Sequence, residues 1–257
     1  MTDNYEVFKK QILSLTGIDL NSYKENQMKR RIDSLILRNK VSTYSDYISI
    51  IRNDRDKFEE FVTYLTINVS EFWRNPDQWD ILEKQIIPNL TGLGTVKIWS
   101  AACSTGDEPY SAAMLFNKYF PFDRIHITAT DLDKQVLKKA KEGIYEEKSL
   151  KGLPIGFKHK FFRNISETSL QISDEVKRCV LFKEHNLLKD PYPDNFDLIM
   201  CRNVLIYFTD DAKNHIYEGF NRALKKGGYL FLGTTEQILK PAEFGFTSVS
   251  SFFYKKV

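Results

Sequence analysis

The sequence predicts an α/β fold: a doubly wound parallel sheet behind an all-helical N-terminal domain, with a small antiparallel β insertion. Three observations predict it. Apolar residues recur at helical spacing through residues 1–90. From residue 96, short apolar runs alternate with helical stretches, as in a parallel sheet with ligands at the carboxyl ends of its strands. Between about 157 and 178, in "FKHKFFRNISETSLQISDEVK", short apolar runs around a polar turn break that alternation. The expected domains are 1–90 and 91–257.

The helical stripes come first. Phe8, Ile12 and Leu15 share one face; Ile32, Leu35, Ile36 and Asn39 share the next. Tyr47, Ile48 and Ile51 form a third, and Phe58, Phe61, Val62 and Leu65 a fourth. "TGIDLNS" (16–22) and "VSTYSD" (41–46) separate them and supply N-caps. A fifth helix is expected from Pro76 to about Ile87, stopped by Pro88, with "NLTGLGT" (89–95) as the boundary. Strands are then expected at Val96–Ser100, Arg124–Thr130, Val180–Lys183, Phe196–Cys201 and Tyr229–Gly233. Helices are expected at Glu108–Tyr119, Lys134–Lys141 and Asp211–Leu224, the last ended by Gly227-Gly228. The terminal "FTSVSSFFYKKV" suits a final edge strand.

With 257 residues, 42% apolar and 28% charged, the composition is that of an ordinary globular protein. A formal net charge of +3 is too small to imply non-specific nucleic-acid binding. Cys103, Cys179 and Cys201 are widely spaced without a C-x-x-C pair and read as reduced thiols in a cytoplasmic protein. The start, "MTDNYEVFKK", lacks an apolar signal core, and no run approaches a membrane span, so no direct membrane insertion is expected.

"WSAACSTGDEPYS" (99–111) joins the first strand to a helix with a single glycine, Gly106. It matches neither G-x-G-x-x-G nor a P-loop. Its small residues let a backbone approach a ligand, and Glu108 at the helix start can meet a polar group. The stretch also reads as a plain connection capped by Asp107. The second strand ends "ITATDLD", where an acidic residue in α/β nucleotide binders holds ribose hydroxyls. Asp131 suits that role unless it merely opens the next helix, and Asp133 looks like a helix cap. Asn186 and the Leu187 backbone, in "HNLL", can read an adenine edge. In "CRNVLIYF" (201–208), Arg202 and Asn203 interrupt an apolar stretch, so Arg202 needs an acidic partner, either a cofactor carboxylate or an internal one. "TINVSEFWRNP" (66–76) carries Asn68, Ser70 and Arg74 among apolar residues; Ser70 as a cap and Arg74 in solvent are the alternative. The segment 22–40 holds six Lys/Arg, among them Lys29, Arg30, Arg31 and Arg38, against two acidic residues. It is either a solvated face or one that steers an acidic partner. The four histidines show no metal-ligand spacing, and G-x-S-x-G is absent.

Taken together, "NVSEFWR", "WSAACSTGDEPYS", "TATDLD" and "CRNVLIYF", in order over residues 66–208, resemble the chemotaxis receptor methyltransferases, the CheR family. The resemblance implies a Rossmann-like class I methyltransferase sheet that binds S-adenosylmethionine and releases S-adenosylhomocysteine. It implies a cytoplasmic enzyme that esterifies glutamates on the cytoplasmic methylation helices of chemoreceptors in chemotaxis signal transduction. The implied cofactor contacts are Asn68, Ser70, Arg74, Gly106, Glu108, Asp131, Asn186, Leu187, Arg202 and Asn203. Arg74 and Tyr207 are implied close to the reacting methyl. The basic residues Lys29, Arg30, Arg31 and Arg38 would face the receptor. Asp107 stands where the family has Glu. The polar turn "RNISETS" looks shorter than in members that dock a receptor's C-terminal pentapeptide, which weighs against tethered docking. A monomer without nucleic acid or metal is expected. An RNA or small-molecule methyltransferase on the same fold, or a non-catalytic adaptor that binds the cofactor, are the alternatives; the absence of [DN]-P-P-[YF] disfavours an amine acceptor.

Overall fold

The computed structural model describes residues 4–257 and divides the chain into two units. One holds the chain up to Asn68 together with Leu205–His215; the other holds Val69–Val204 and Ile216–Val257.

The first unit contains α1 (Tyr5–Thr16), α2 (Glu25–Arg38), α3 (Tyr44–Asn53) and α4 (Arg55–Thr66). Side-chain caps set their starts: Asn4 accepts from the Glu6 amide, Thr43 from Asp46, and Asp54 from Asp56 and Lys57. Gly17, at φ +72°, ends α1 in the left-handed conformation that glycine adopts without strain. The apolar stripes meet in one core, where Phe8, Ile12, Ile32, Ile36, Tyr47 and Phe61 are fully buried. The returning segment joins the same unit: Lys24 N–H donates to Tyr207 C=O at 2.8 Å, and the Tyr23 and Phe208 rings stand 4.9 Å apart.

The second unit carries β1 (Val96–Ala101), β2 (Ile125–Asp131), β6 (Val180–Glu184), β7 (Phe196–Cys201), β8 (Leu224–Leu232), β9 (Phe246–Ser250) and β10 (Phe253–Lys256) in one sheet. Their order is β6-β2-β1-β7-β8-β10-β9, parallel except that β10 runs antiparallel to both neighbours. All six residues of β7 are buried, five of them apolar. Its one acid, Asp197, is matched by the Lys97 amide at 2.8 Å and the Lys225 ammonium at 2.6 Å. Helices α5 (Pro76–Ile81), α6 (Asp107–Phe116), α7 (Lys134–Glu142) and α9 (Asp174–Arg178) belong to this unit, while α10 (Asp210–Ala223) is shared along the chain.

Several expectations need adjusting. The division falls at Asn68 rather than near residue 90, because Phe72, Trp73, Trp79, Leu82, Ile86 and Ile87 are buried in the core of the α/β unit. Helical periodicity alone does not say which core a helix serves. The antiparallel sheet orders β3 (Ile144–Glu146), β5 (Ser169–Ile172) and β4 (Phe162–Asn164), so it begins well before 157, and α8 (Ile155–Phe161) precedes β4. The single terminal strand is a hairpin: β9 holds the edge and β10 inserts between β8 and β9.

Candidate functional site

Ser70, Glu71, Arg74, Ala102, Ser104, Glu108, Arg202 and Asn203 line one pocket of the second unit, at the carboxyl ends of β1 and β7. The turn after β1 is built by backbone bonds. Cys103 N–H donates to Thr130 C=O, Gly106 N–H to Cys103 C=O, and Ser104 N–H to the Asp131 carboxylate at 2.8 Å. Ala102 and Ser104 take positive φ, +68° and +47°. Non-glycine residues in that region cost roughly 1–2 kcal/mol each, a strain held where function requires the shape. Gly106, at φ +89°, is obligatory: a Cβ there would meet the Ala140 Cβ at 3.0 Å and the Tyr145 hydroxyl at 3.2 Å. Tyr145 closes the turn from outside, its hydroxyl donating to Thr105 C=O at 2.7 Å.

Asp107 opens α6 but does not cap it; Gly106 holds that position. Asp107 is buried, accepts from Thr105 Oγ1 at 2.5 Å and from the Ser70 side chain, and is pushed towards the neutral form by burial. Glu108 accepts from Ser100 Oγ at 2.7 Å, and its second oxygen lies 3.5 Å from Arg202. Burial pushes its carboxyl up, against the pull of Arg202. Asp131 is similarly pushed up, to about 6, by burial. Both its oxygens take backbone amides, those of Ser104 and Asp133, so it shapes the loop whatever else it holds. Asp133 caps α7 through the Gln135 amide.

Arg202 has an internal set of partners. Its guanidinium donates to Arg74 C=O at 2.7 Å, Gln78 Oε1 at 3.0 Å and Asn75 Oδ1 at 3.3 Å. It lies over the Phe231 ring at 4.7 Å and the Trp79 ring at 5.5 Å. With 2% exposure, this is a buried cation held by carbonyls and aromatic faces, with one carboxylate alongside. Arg74 sits in a rigid bend between Trp73 (φ +57°) and Asn75 (φ +58°). Its carbonyl also accepts from Trp79 Nε1 at 3.0 Å, and its side chain, a third exposed, donates to Val69 C=O at 3.3 Å.

Asn186 and Leu187 follow β6 and are not among the pocket's lining residues. The Asn186 amide oxygen accepts from Leu188 N–H, and Leu187 C=O accepts from the Tyr192 hydroxyl, so both groups named from the sequence make local bonds. Asn68 and Tyr207 belong to the first unit, where Asn68 donates to Thr66 Oγ1 at 2.9 Å and Tyr207 C=O receives Lys24 N–H. The basic helix is less free than its charge suggests. Arg31 donates to Tyr64 C=O at 2.6 Å and stacks 4.6 Å from its ring; Arg38 pairs with Glu60 at 2.6 Å, and Lys29 with Asp33 at 3.4 Å. Among the described residues, Arg30 donates along its own helix, to Asn26 C=O.

Two pocket-supporting residues escaped the sequence reading. Gln78 follows Pro76 in a short helix and carried no signal. Glu236 follows the carboxyl end of β8 in "GTTE", the end of the sheet where ligands collect, and that position was a usable signal.

The lining suits a polar ligand. Ser104 Oγ, Arg202 Nε and Asn203 Oδ1 are buried beside the pocket without a partner, a cost that a ligand would relieve. A family model described as "CheR methyltransferase, SAM binding domain" matches residues 68–253, and "CheR methyltransferase, all-alpha domain" matches 3–66. The chain belongs to the CheR methyltransferase family. Among its relatives is a chemotaxis protein methyltransferase of Listeria monocytogenes, 42% identical over 98% of this chain and 97% of the relative. Others of that description, from Borreliella burgdorferi and Vibrio anguillarum, are 34% and 32% identical over 86% and 91% of this chain and 83% and 89% of theirs. This CheR chain is therefore an S-adenosylmethionine-dependent methyltransferase of chemotaxis. No helix among the described residues is long and apolar enough to cross a membrane.

Proposed function

We propose that this methyltransferase esterifies glutamate side chains on the cytoplasmic methylation helices of chemoreceptors, in the cytoplasm. The observation that carries this reading is a pocket lined by a cation and by neither a histidine nor a reactive thiol. Arg74 lines it, no histidine does, and burial holds the Cys103 thiol neutral. His185 is a core residue against Trp99 and Tyr192, held neutral by burial. An acceptor that must lose a proton is poorly served there, whereas a glutamate, with a pKa of about 4.3, arrives as an anion.

The bound cofactor supplies a methyl group on a sulfonium. When bound, it would give that methyl to an oxygen of the acceptor carboxylate, the O–CH3 bond forming as the C–S bond breaks and its electron pair remaining on sulfur. The protein's contribution is positioning and partial exclusion of water, which can lower such barriers by roughly 7–11 kcal/mol. Arg74 orients the acceptor from one side; a tight bidentate clamp on the attacking oxygen would stabilise the nucleophile and slow it. Ser70, Glu108, Asn203 and the 101–106 turn hold the cofactor, with Arg202 setting the turn's far wall. Asp131, Asn186 and Leu187 serve its nucleoside half. The family resemblance also implies Asn68 for the cofactor and Tyr207 near the reacting methyl. On α2 the exposed basic residues open to a receptor are Arg30 and Arg38, whereas Lys29 and Arg31 are half-buried and engaged at Asp33 and Tyr64.

The test is transfer of radiolabelled methyl from the cofactor to receptor cytoplasmic fragments, followed by mild alkali. Release as methanol identifies a carboxyl ester. Alkali-stable label, or label on RNA or small acceptors only, would sink the reading, and cofactor binding without transfer would leave an adaptor. Arg74→Ala and Tyr207→Phe should each slow turnover at saturating cofactor.

A further inference from the structure

The segment after β7 turns sharply at Asn203, which takes φ +61° and lines the cofactor pocket with its amide oxygen buried and unpartnered. A left-handed asparagine is tolerated more readily than most residues, but it still needs something to hold it. That something is Glu236. One of its oxygens accepts Asn203 N–H at 2.6 Å and Gly233 N–H at 2.8 Å, joining the end of β8 to the turn after β7. Glu236 is only 4% exposed, and its own N–H closes the turn onto Gly233 C=O at 3.0 Å. The space around this oxygen is full. A Cβ on Gly233 would lie 2.5 Å from it and 2.8 Å from the Asn203 nitrogen, so glycine is required for the carboxylate to reach both amides.

We propose that Glu236 is a positioning residue for cofactor binding, which clamps the Gly233 and Asn203 amides with one carboxylate oxygen and so fixes Asn203 in its left-handed, pocket-lining conformation. It does not line the pocket itself. The inference rests on the cofactor reading of that pocket, and it acts through Asn203 rather than through charge.

Calorimetric titration of the full-length protein with S-adenosylhomocysteine tests it without requiring turnover. Glu236→Ala should weaken binding by at least about tenfold, the scale expected when a buried hydrogen-bonding group is deleted. Glu236→Gln keeps a carbonyl oxygen for both amides and should stay within about threefold of the parent. Gly233→Ala keeps the carboxylate but crowds it out of place, and should weaken binding as Glu236→Ala does. In an Asn203→Ala background, Glu236→Ala should add little further loss, a non-additivity that a merely structural residue would not give. Folded Glu236→Ala protein, with a cooperative melt and parental affinity, would overturn the proposal. So would equal loss in Glu236→Gln and Glu236→Ala, which would assign the effect to charge. If Glu236→Ala does not fold, the Glu236→Gln and Gly233→Ala pair decides the matter. A protein that binds S-adenosylhomocysteine normally but methylates no receptor fragment would end the receptor reading and leave this comparison readable.

Discussion

Each unit holds arginines against an aromatic ring and a carboxylate, and the two cases differ in what water does. In the first unit, Arg31 and Arg38 both lie over Tyr64, and Arg38 reaches Glu60 at 2.6 Å with more than half of its side chain in solvent. In the second, Arg202 lies over Phe231 and Trp79, with Glu108 at 3.5 Å and 2% exposure. Losing one partner costs less in the shorter pair than in the longer. Solvent screens an exposed pair to between roughly 0 and 1 kcal/mol, whereas a desolvated ion left alone costs several times that. Distance ranks these two interactions in the wrong order; burial ranks them correctly.

Replacement of Arg202 by Met should break the comparison most sharply. It removes the cation and strands Glu108 and the Arg74 carbonyl, so chemical denaturation should register a loss of about 3–5 kcal/mol. Adding Glu108→Gln should recover part of that loss. An unchanged midpoint in the single variant would mean that water reaches the group after all.

Asp131 supplies a pH signature for the buried region. Its carboxyl is raised from 3.8 to about 6, so the folded state holds its proton more tightly than the unfolded chain. The stability it contributes is therefore complete below pH 4 and is lost as pH rises through 6. Relative to Asp131→Asn, the parent should lose up to about 3 kcal/mol between pH 4 and 7 and nothing further above that. A difference between the two proteins that is flat across that range would refute the assignment.

Gln78→Ala gives an intermediate effect. It deletes one acceptor of a buried guanidinium, and a loss of about 1–3 kcal/mol is expected. Because Arg202 also grips the Arg74 carbonyl, kcat should fall more than cofactor affinity does. In the exposed region, Arg38→Ala should change stability by less than about 1 kcal/mol, and the change should shrink in high salt. A larger, salt-independent loss would show that the Tyr64 stack, rather than the ion pair, matters there.

Legibility in the sequence followed the same divide. β7 was read to the residue because five apolar residues in a run of six, interrupted only by Asp197, point to a strand buried on both faces. The helical stripes of α1 to α4 were equally plain, since each needs only its own periodicity. The site's backbone anchors, Gly106 and Glu108, were legible from a motif in which small residues and a helix-start acid stand together. Arg202 could be read as buried and in need of a partner, but not matched to one. Its partners lie more than 90 positions away at Glu108 and more than 120 away at Arg74, Asn75 and Gln78. Likewise the position of Glu236 after β8 marked the right end of the sheet but not its partner, the turn after β7.

By itself, then, the sequence determined the class of sheet, the helical stripes and the positions of the turns that follow β1 and β7. Those features depend on interactions within a few residues, where periodicity and turn chemistry are encoded. Only the tertiary structure decided which core Trp79 would serve, that β10 would insert inside β9, and which charges would be desolvated. Those outcomes depend on segments distant in sequence meeting in low dielectric, where an arginine is either a solvated surface charge or a buried cation held by carbonyls and a carboxylate.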